Sequence, residues 1–167
     1  VLHWGSITFA PPEDVGPLLA ALERLDLFDW ICFSSPRAVE AVLSRVAAPP
    51  AGVRMAAVGP TTAATLEAAG WPVDRVPEDA RGEGLVEAFR SAGDASGARV
   101  FFPASAIARD TIPTGLGALG AEVEPVTAYR TVALPLDREA CRRDVEGGGV
   151  QVVTFTSPSA LAAVGKG

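Results

Sequence analysis

Short apolar segments alternate with amphipathic segments along most of the chain. The apolar segments are bounded by Gly, Pro or Ser and are typical of strands buried on both faces. They predict strands at 29–33, 53–58, 73–76, 99–102 and 150–155. Between them, apolar positions at helical spacing predict helices over 12–24, 36–46, 61–69, 84–92 and 107–119. Pro113 interrupts the last helix and predicts a kink or a late start there. Strands alternating with helices predict an α/β fold, with helices on both faces of a parallel sheet.

Two longer segments depart from this alternation. Residues 2–9 and 122–134 alternate polar and apolar positions, and each is followed by Pro and then a helical pattern. They are interpreted as exposed or edge strands. Strands of this length can connect two domains as a two-stranded link.

An internal repeat indicates how the chain is organised. Residues 31–42 align without gaps on residues 153–164, at an offset of 122, and six of the twelve pairs are identical. The counterpart of the turn at 59–62 would lie near position 180, so the second copy is expected to be present only in part. The predicted fold is therefore two similar doubly wound, flavodoxin- or Rossmann-like domains joined by a two-stranded β connection. Residues 10–125 are the complete domain, and 1–9 with 126–167 supply the connecting strands and part of the other.

Composition and charge narrow the functional classes. The chain has 167 residues, of which 49% are apolar, and its net charge is −6. The apolar share excludes a disordered chain, and the acidic balance argues against nucleic acid or an anionic membrane as partner. No 18-residue apolar run is present, so no membrane-spanning helix is predicted and a cytoplasmic protein is expected. Cys32 lies in an apolar run and is predicted to be a buried reduced thiol.

Hydroxyl residues follow several predicted strands. Ser34 and Ser35 precede Pro36 at one strand end, and Thr61 and Thr62 follow Gly59-Pro60 at another. Thr156 and Ser157 repeat the first turn in the second copy. Such turns present free backbone N–H groups and the positive end of a helix, which together suit carboxylate or phosphate. The alternative is that these hydroxyls only cap their helices, and both interpretations stay open here.

Other chemistry is disfavoured. No Gly-x-Gly-x-x-Gly or P-loop follows a predicted strand, and one histidine with two distant cysteines cannot build a typical metal site. His3 is the only histidine, so a Ser-His-Asp triad would have to use it. The predicted strand ends carry no acidic cluster of the kind that a receiver-like signalling domain needs. The charge run at 138–144 is interpreted as a solvated helix face.

Seven short motifs occur in a fixed order along the chain. They are Phe-Ser-Ser-Pro-Arg-Ala-Val-Glu-Ala at 33–41, Val-Gly-Pro-Thr-Thr-Ala at 58–63, Gly-Glu-Gly-Leu at 82–85, Arg-Val-Phe-Phe-Pro at 99–103, Gly-Ala-Glu-Val at 120–123, Ala-Tyr-Arg-Thr at 128–131 and Phe-Thr-Ser-Pro-Ser-Ala at 155–160. In this order and spacing they resemble the uroporphyrinogen-III synthase family. The resemblance extends over nearly the whole chain.

The resemblance implies a cofactor-free, two-domain lyase of porphyrin and haem biosynthesis that converts the linear tetrapyrrole hydroxymethylbilane into uroporphyrinogen III, inverting ring D. It implies that Tyr129 donates a hydrogen bond to the departing hydroxyl. Substrate carboxylates would be held at Ser34, Ser35, Thr61, Thr62, Ser105, Thr156 and Ser157. A monomer without metal is expected. The alternative function is a non-catalytic two-lobed module that binds an acidic small molecule, which would not need Tyr129 beside the hydroxyl turns.

Overall fold

The computed structural model describes residues 5, 7–135, 137–155 and 161. The strands are β1 (Ile7–Ala10), β2 (Trp30–Phe33), β3 (Arg54–Ala57), β4 (Arg99–Ser105) and β5 (Glu122–Ala133). The helices are α1 (Gly16–Leu22), α2 (Pro36–Leu43), α3 (Pro60–Ala68), α4 (Gly82–Ala92), α5 (Thr111–Ala118) and α6 (Arg138–Glu146), with a 3₁₀ turn at Leu25–Leu27. The predicted alternation of strands and helices is confirmed.

The chain divides into two compact units. One is Pro11–Arg130, and the other combines Val1–Ala10 with Thr131–Gly167. In the second unit the structure describes β1, the end of β5 and α6, and α6 has no buried residue. The predicted solvated helix face is therefore confirmed. The domain boundaries predicted from the repeat stay a prediction.

The sheet of the Pro11–Arg130 unit is parallel. β2 pairs with both β3 and β4, and β4 pairs in turn with β5. The strand order within this unit is β5-β4-β2-β3. β2 lies between β3 and β4, which both follow it in the chain. The chain therefore moves to one side of β2 to form β3 and returns to the other side to form β4.

Two apolar clusters cover the two faces of this sheet. Alternate side chains of β2 divide between them, since Ile31 and Phe33 join one cluster and Trp30 and Cys32 join the other. The first cluster includes residues of α1, α2 and α3, and the second includes residues of α4 and α5. The predicted doubly covered sheet is thus confirmed for this unit. Cys32 is a free, fully buried thiol, as predicted.

Two glycines end helices through the same hydrogen-bond pattern. Gly70 has a φ of +77°, and the next N–H, that of Trp71, donates to Leu66 O. Gly120 has a φ of +90°, and Ala121 N–H donates to Leu116 O. This pattern satisfies the last free carbonyls of α3 and α5 and turns the chain back toward the core.

Two predicted strands are wrong. Residues 73–76 form only an isolated parallel bridge, Ala56 to Arg75. The Asp74 carboxylate accepts the Met55 N–H at 2.8 Å, and the flanking prolines Pro72 and Pro77 offer no N–H to a ladder. Residues 150–155 are also not a strand: Val152, Val153 and Phe155 are exposed, and a strand needs a paired neighbour that the described residues do not supply there.

Two predicted helix boundaries shift. The first helix begins at Gly16 rather than at residue 12. The Asp14 carboxylate accepts the Gly16 N–H at 2.8 Å at this start. α5 starts late, at Thr111, so that Pro113 falls in its first turn, where no intrahelical N–H donor is needed. Within the Pro11–Arg130 unit β5 lies at the edge of the sheet beside β4, as expected, and only Val126 and Ala128 of this strand are buried.

Candidate functional site

The carboxyl ends of the parallel strands form the candidate site. The helix after β2 packs on one face of the sheet, whereas the helix after β4 packs on the other. The chain therefore leaves these neighbouring strands toward opposite faces of the sheet. Open α/β sheets bind ligands at this position.

Ser35 begins helix α2 at the end of β2. Its backbone is extended, its Oγ accepts the Ala38 N–H at 3.3 Å, and Pro36 follows as the first helical residue. Its capping function is therefore confirmed. The neighbouring Ser34 is half-buried in the same turn.

Tyr129 reaches the same place from β5. Its Oη lies 3.2 Å from Ser35 Oγ, although the two residues are 94 positions apart in the chain. The ring is half-buried and packs against the apolar cluster that includes α2. Thus a strand and a helix start from distant parts of the sequence bring two hydroxyls together.

Ser105 lies at the end of β4, in register with Tyr129 on β5. The pairing shifts between Ala104 and Ser105, and beyond the shift Ala106 N–H donates to Tyr129 O at 3.0 Å. The Ser105 Oγ accepts the Ile107 N–H at 3.4 Å. Ser105 therefore closes its own turn beside the tyrosine backbone.

Thr61 and Thr62 open helix α3 on the next turn. Val58 N–H donates to Phe33 O at 2.9 Å, so this turn leaves the sheet beside the Ser34-Ser35 turn. The first helical bond runs from Ala63 N–H to Gly59 O, and the N–H groups of both threonines precede it. Thr61 is exposed and Thr62 is buried.

Thr156 and Ser157 lie outside the described residues, so their place in the site stays a prediction. His3 lies outside them as well. Among the described residues, no group of three or more His, Cys, Asp or Glu side chains could hold a metal ion.

The start of α4 also lies at this end, and the sequence analysis did not include it among the site residues. The Cβ position of Gly59 lies 3.3 Å from Ala80 Cβ, which brings the segment before α4 beside the α3 start. The N-terminal N–H groups of α4 precede its first bond, Leu85 N–H to Arg81 O. The Gly82-Glu83-Gly84 run was the available signal, because glycines at a helix start mark a close backbone approach.

The arginines near these turns are engaged in local contacts. Arg81 forms a forked pair with Asp79 at 2.7–3.0 Å, and this hydrogen-bonded guanidinium holds the pKa of the Asp79 carboxyl below its usual value. Arg130 Nε donates to Pro11 O at 3.1 Å, and its guanidinium lies 3.8 Å from Glu13. Arg109 is exposed.

A depression of about 950 Å³ begins at the α4 start and lies between residues 76–79 and helices α4 and α5. Its lining includes the carboxylates of Glu78, Asp79, Glu83 and Glu87, and it includes none of the hydroxyl residues at the β2 and β5 ends. Such a lining repels a polyanion. The strand ends therefore remain the candidate site. None of the described helices is both long and apolar enough to cross a membrane.

Comparisons with known proteins point to one family. The family model of uroporphyrinogen-III synthase HemD matches residues 1–166. A uroporphyrinogen-III synthase of Synechococcus elongatus is 34% identical over 137 residues, which are 78% of this chain and 51% of that protein. A Methanothermobacter thermautotrophicus protein described by the same enzyme name is 37% identical over 142 residues, 81% of this chain and 55% of that protein.

Solved structures agree on the fold. A mutant uroporphyrinogen III synthase from the extremely thermophilic bacterium Thermus thermophilus superposes with a TM-score of 0.66 at 16% identity, covering 98% of this chain and 66% of that one. The chain spans about half the length of the curated relatives that it matches.

Proposed function

Because this chain belongs to the uroporphyrinogen-III synthase family, we propose that the protein containing it dehydrates and cyclises hydroxymethylbilane to uroporphyrinogen III, with inversion of ring D. The observation that carries the proposal is the 3.2 Å contact between Tyr129 and Ser35 at the carboxyl ends of the strands. It joins the one phenol of the chain to a turn suited to carboxylates.

The reaction begins with the loss of the hydroxyl from the hydroxymethyl group of ring A. The pyrrole nitrogen lone pair expels it as the C–O bond breaks, Tyr129 supplies a proton to the departing oxygen, and water leaves behind an azafulvene cation. Ring D attacks this cation through its substituted carbon and forms a spiro intermediate. The bond from that carbon to its original methylene bridge then breaks, and the released cation recloses on the other side of ring D. Loss of the ring proton completes the product and balances the proton given at the start.

The main task of the protein in this sequence is to hold a flexible chain in one reactive geometry. Ser34, Ser35, Thr61, Thr62 and Ser105, with the N–H groups of their turns, are proposed to bind acetate and propionate arms. Thr156 and Ser157 are proposed for the same purpose on the repeated turn. Helix N-termini suit this purpose because they carry partial positive charge without a counter-ion.

The complete protein is proposed to consist of two similar doubly wound domains joined by two β segments, with no cofactor. A monomeric state and a cytoplasmic location stay predictions from the sequence.

The rival proposal, a non-catalytic module for an acidic ligand, is less well supported. It would use the same helix N-termini but would not require a phenol beside them. The approach of Tyr129 to Ser35 across 94 residues favours the enzyme.

The deciding experiment incubates the full-length protein with hydroxymethylbilane and separates the uroporphyrinogen isomers. The III isomer is expected in excess over the I isomer, which forms spontaneously. Formation of the I isomer alone, at the rate seen without protein, would contradict the proposal. Tight binding of hydroxymethylbilane in that case would support the rival binding module.

A further inference from the structure

One arginine of the Pro11–Arg130 unit differs from all the others in its contacts. The unit has ten arginines and no lysine, and the structure describes all of its residues. Eight of these arginines lie within 4 Å of a carboxylate. Arg45 donates to Ala41 O at 2.9 Å instead. Arg109 is the tenth, and no hydrogen bond, ion pair or ring contact joins it to any described residue.

Arg109 lies in the loop that joins β4 to α5, at the carboxyl end of the sheet. The first part of this loop is fixed to the candidate site. Ala106 N–H donates to Tyr129 O at 3.0 Å, and Ala108 N–H donates to Ser105 O at 3.0 Å. The residue before Arg109 is therefore hydrogen-bonded to a residue that the proposed function places in contact with the substrate.

The same loop presents side chains to the solvent. Ile107 is 71% exposed, and Arg109 is exposed as well. The adjacent Asp110 precedes the first residue of α5 and forms no ion pair with any described cation. An arginine without a protein partner keeps its charge and its five N–H donors for a ligand.

The acidic balance of the chain makes this one cation informative. A net charge of −6 repels a polyanion at long range, and helix N-termini offer only partial positive charge at short range. Arg109 carries a full charge that no neighbour neutralises, and it lies at the same end of the sheet as these N-termini. A guanidinium group also matches a carboxylate geometrically, through two parallel N–H···O bonds.

We propose that Arg109 binds one carboxylate arm of the substrate through such a forked pair, beside the arms that the hydroxyl turns bind. Arg130 does not share this function, because its guanidinium is engaged by Pro11 O and Glu13. The inference rests on the proposed function, since it names the residue that supplies a full positive charge to the same ligand.

A binding experiment tests the proposal apart from catalysis. The probe is uroporphyrin III, the stable oxidised form of the proposed product, which keeps all the carboxylate arms. Its dissociation constant for the full-length protein is measured by equilibrium dialysis. Arg109→Gln removes the charge from an exposed loop and is expected to weaken binding about fivefold without unfolding. Arg109→Lys is expected to recover part of the affinity, because it restores the charge but not the fork.

Arg45→Gln is the matched control. Arg45 is also exposed, and its replacement changes the net charge by the same amount, but it follows the far end of α2 and contacts only Ala41 and Ser44. The affinity is expected to stay unchanged in this variant. Added NaCl is expected to weaken binding less in Arg109→Gln than in the wild type, because one ion pair fewer is screened.

Kinetics supply the second measurement. Arg109→Gln is expected to raise KM for hydroxymethylbilane about fivefold and to leave kcat within about twofold, because the pair forms equally in the ground state and the transition state. A fall in kcat with KM unchanged would contradict the proposal, since Arg109 would then act on the chemical step rather than on binding.

The outcomes separate this inference from the proposed function. Failure of the wild type to bind uroporphyrin III, an unchanged affinity in Arg109→Gln, or an equal loss in Arg45→Gln would overturn the inference even if the protein makes isomer III. A loss confined to Arg109→Gln, combined with formation of isomer I only, would uphold the carboxylate contact and reject the proposed function.

Discussion

The two ends of the parallel sheet carry polar groups of different kinds. At the amino end, Arg75 forms a forked pair with Asp94 at 2.8 and 2.9 Å, and Arg54 reaches the same carboxylate at 3.2 Å. Both guanidinium groups lie over the Trp30 ring, at 4.6 and 4.1 Å from its centroid. The carboxyl end instead presents hydroxyls, a phenol and helix N-termini.

The charged groups of the amino end therefore serve stability, whereas the polar groups of the carboxyl end are available to a ligand. The ionised groups at the amino end are paired with each other and cover apolar rings, so little of their charge is left for a ligand. Apart from the paired Arg81 and Asp79 and the arginines Arg109 and Arg130, the groups at the carboxyl end are neutral dipoles, and the first N–H groups of their helices are not used within the helix. A substrate rich in carboxylates can be bound there in spite of the net charge of −6, because recognition is local. Three substitutions and one alkylation experiment test this division.

The largest effect is expected from Tyr129→Phe at the carboxyl end. Removing the proton donor is expected to lower kcat for isomer III about 100-fold, with KM nearly unchanged. The free energy of unfolding is expected to change by less than about 1 kcal/mol, because only one partly exposed hydrogen bond is lost. The measurement pairs a steady-state assay with urea unfolding of the full-length protein. Full activity in Tyr129→Phe would remove the proton-donor role.

Gly84→Ala tests the close backbone approach at the α4 start. A Cβ there would lie 2.1 Å from Asp79 O, a backbone atom that cannot move aside cheaply. The substitution is expected to lower the free energy of unfolding by about 2 kcal/mol, although alanine is the better helix former. Gly117→Ala in α5 is the matched control, since nothing lies within 4 Å of its Cβ position. It is expected to stabilise the protein by about 0.5–1 kcal/mol. If both variants were more stable than the wild type, the backbone at Asp79 would have moved to make room for the new Cβ.

Asp94→Asn tests the amino end. The hydrogen bonds from Arg75 hold the pKa of the Asp94 carboxyl below its ordinary value of 3.8. Its stabilising contribution is therefore complete above that value and is lost as the pH falls through the lower folded-state pKa. At pH 7 the variant is expected to be less stable by about 1–2 kcal/mol, with kcat unchanged.

The pH series provides the check on that variant. The stability difference between wild type and Asp94→Asn is expected to be constant from about pH 5 to 8 and to narrow below about pH 4. A difference that persists at low pH would mean that the side-chain shape, not the charge, stabilises this end. A loss of kcat would break the division between the two ends.

The sequence predicted the local turns better than the sheet. The hydroxyl turns were identified from local motifs and the role of Tyr129 from the family resemblance. The Ser35 cap at the start of α2 is confirmed, whereas the binding and catalytic assignments stay predictions. The contact between Ser35 and Tyr129 depends on β4 lying between their strands, and pairing order is not written in local periodicity. The predicted strand at 73–76 was wrong for the same reason. Residues 73–76 do alternate apolar and charged side chains. The Asp74 carboxylate, however, accepts the Met55 N–H of β3, which a strand ladder would need.

The amino-end cluster was not predicted at all. Arg54, Arg75 and Asp94 lie in three separate segments, each with an ordinary surface composition. The pairing of β2 with β3 and with β4 brings the two arginines over Trp30 and beside their common partner Asp94. Long-range ion pairs carry no signal in one sequence, whereas a helix cap is encoded within four residues.

The smallest effect is expected at Cys32, in the middle of β2 between the two ends. Burial raises the pKa of its thiol to about 12; Arg75 lowers it by a smaller amount, and Asp94 opposes Arg75. At pH 8 only about one thiol in ten thousand is then ionised, and the sulfur is enclosed. Native protein is expected to show no alkylation at Cys32 by iodoacetamide, whereas the half-exposed Cys141 reacts and both react in urea. Rapid alkylation of native Cys32 would mean that the sheet opens at β2 and admits the reagent. Its absence would mean that burial outweighs the attraction of Arg75 for the thiolate, so that the charges of the amino end act mainly on one another.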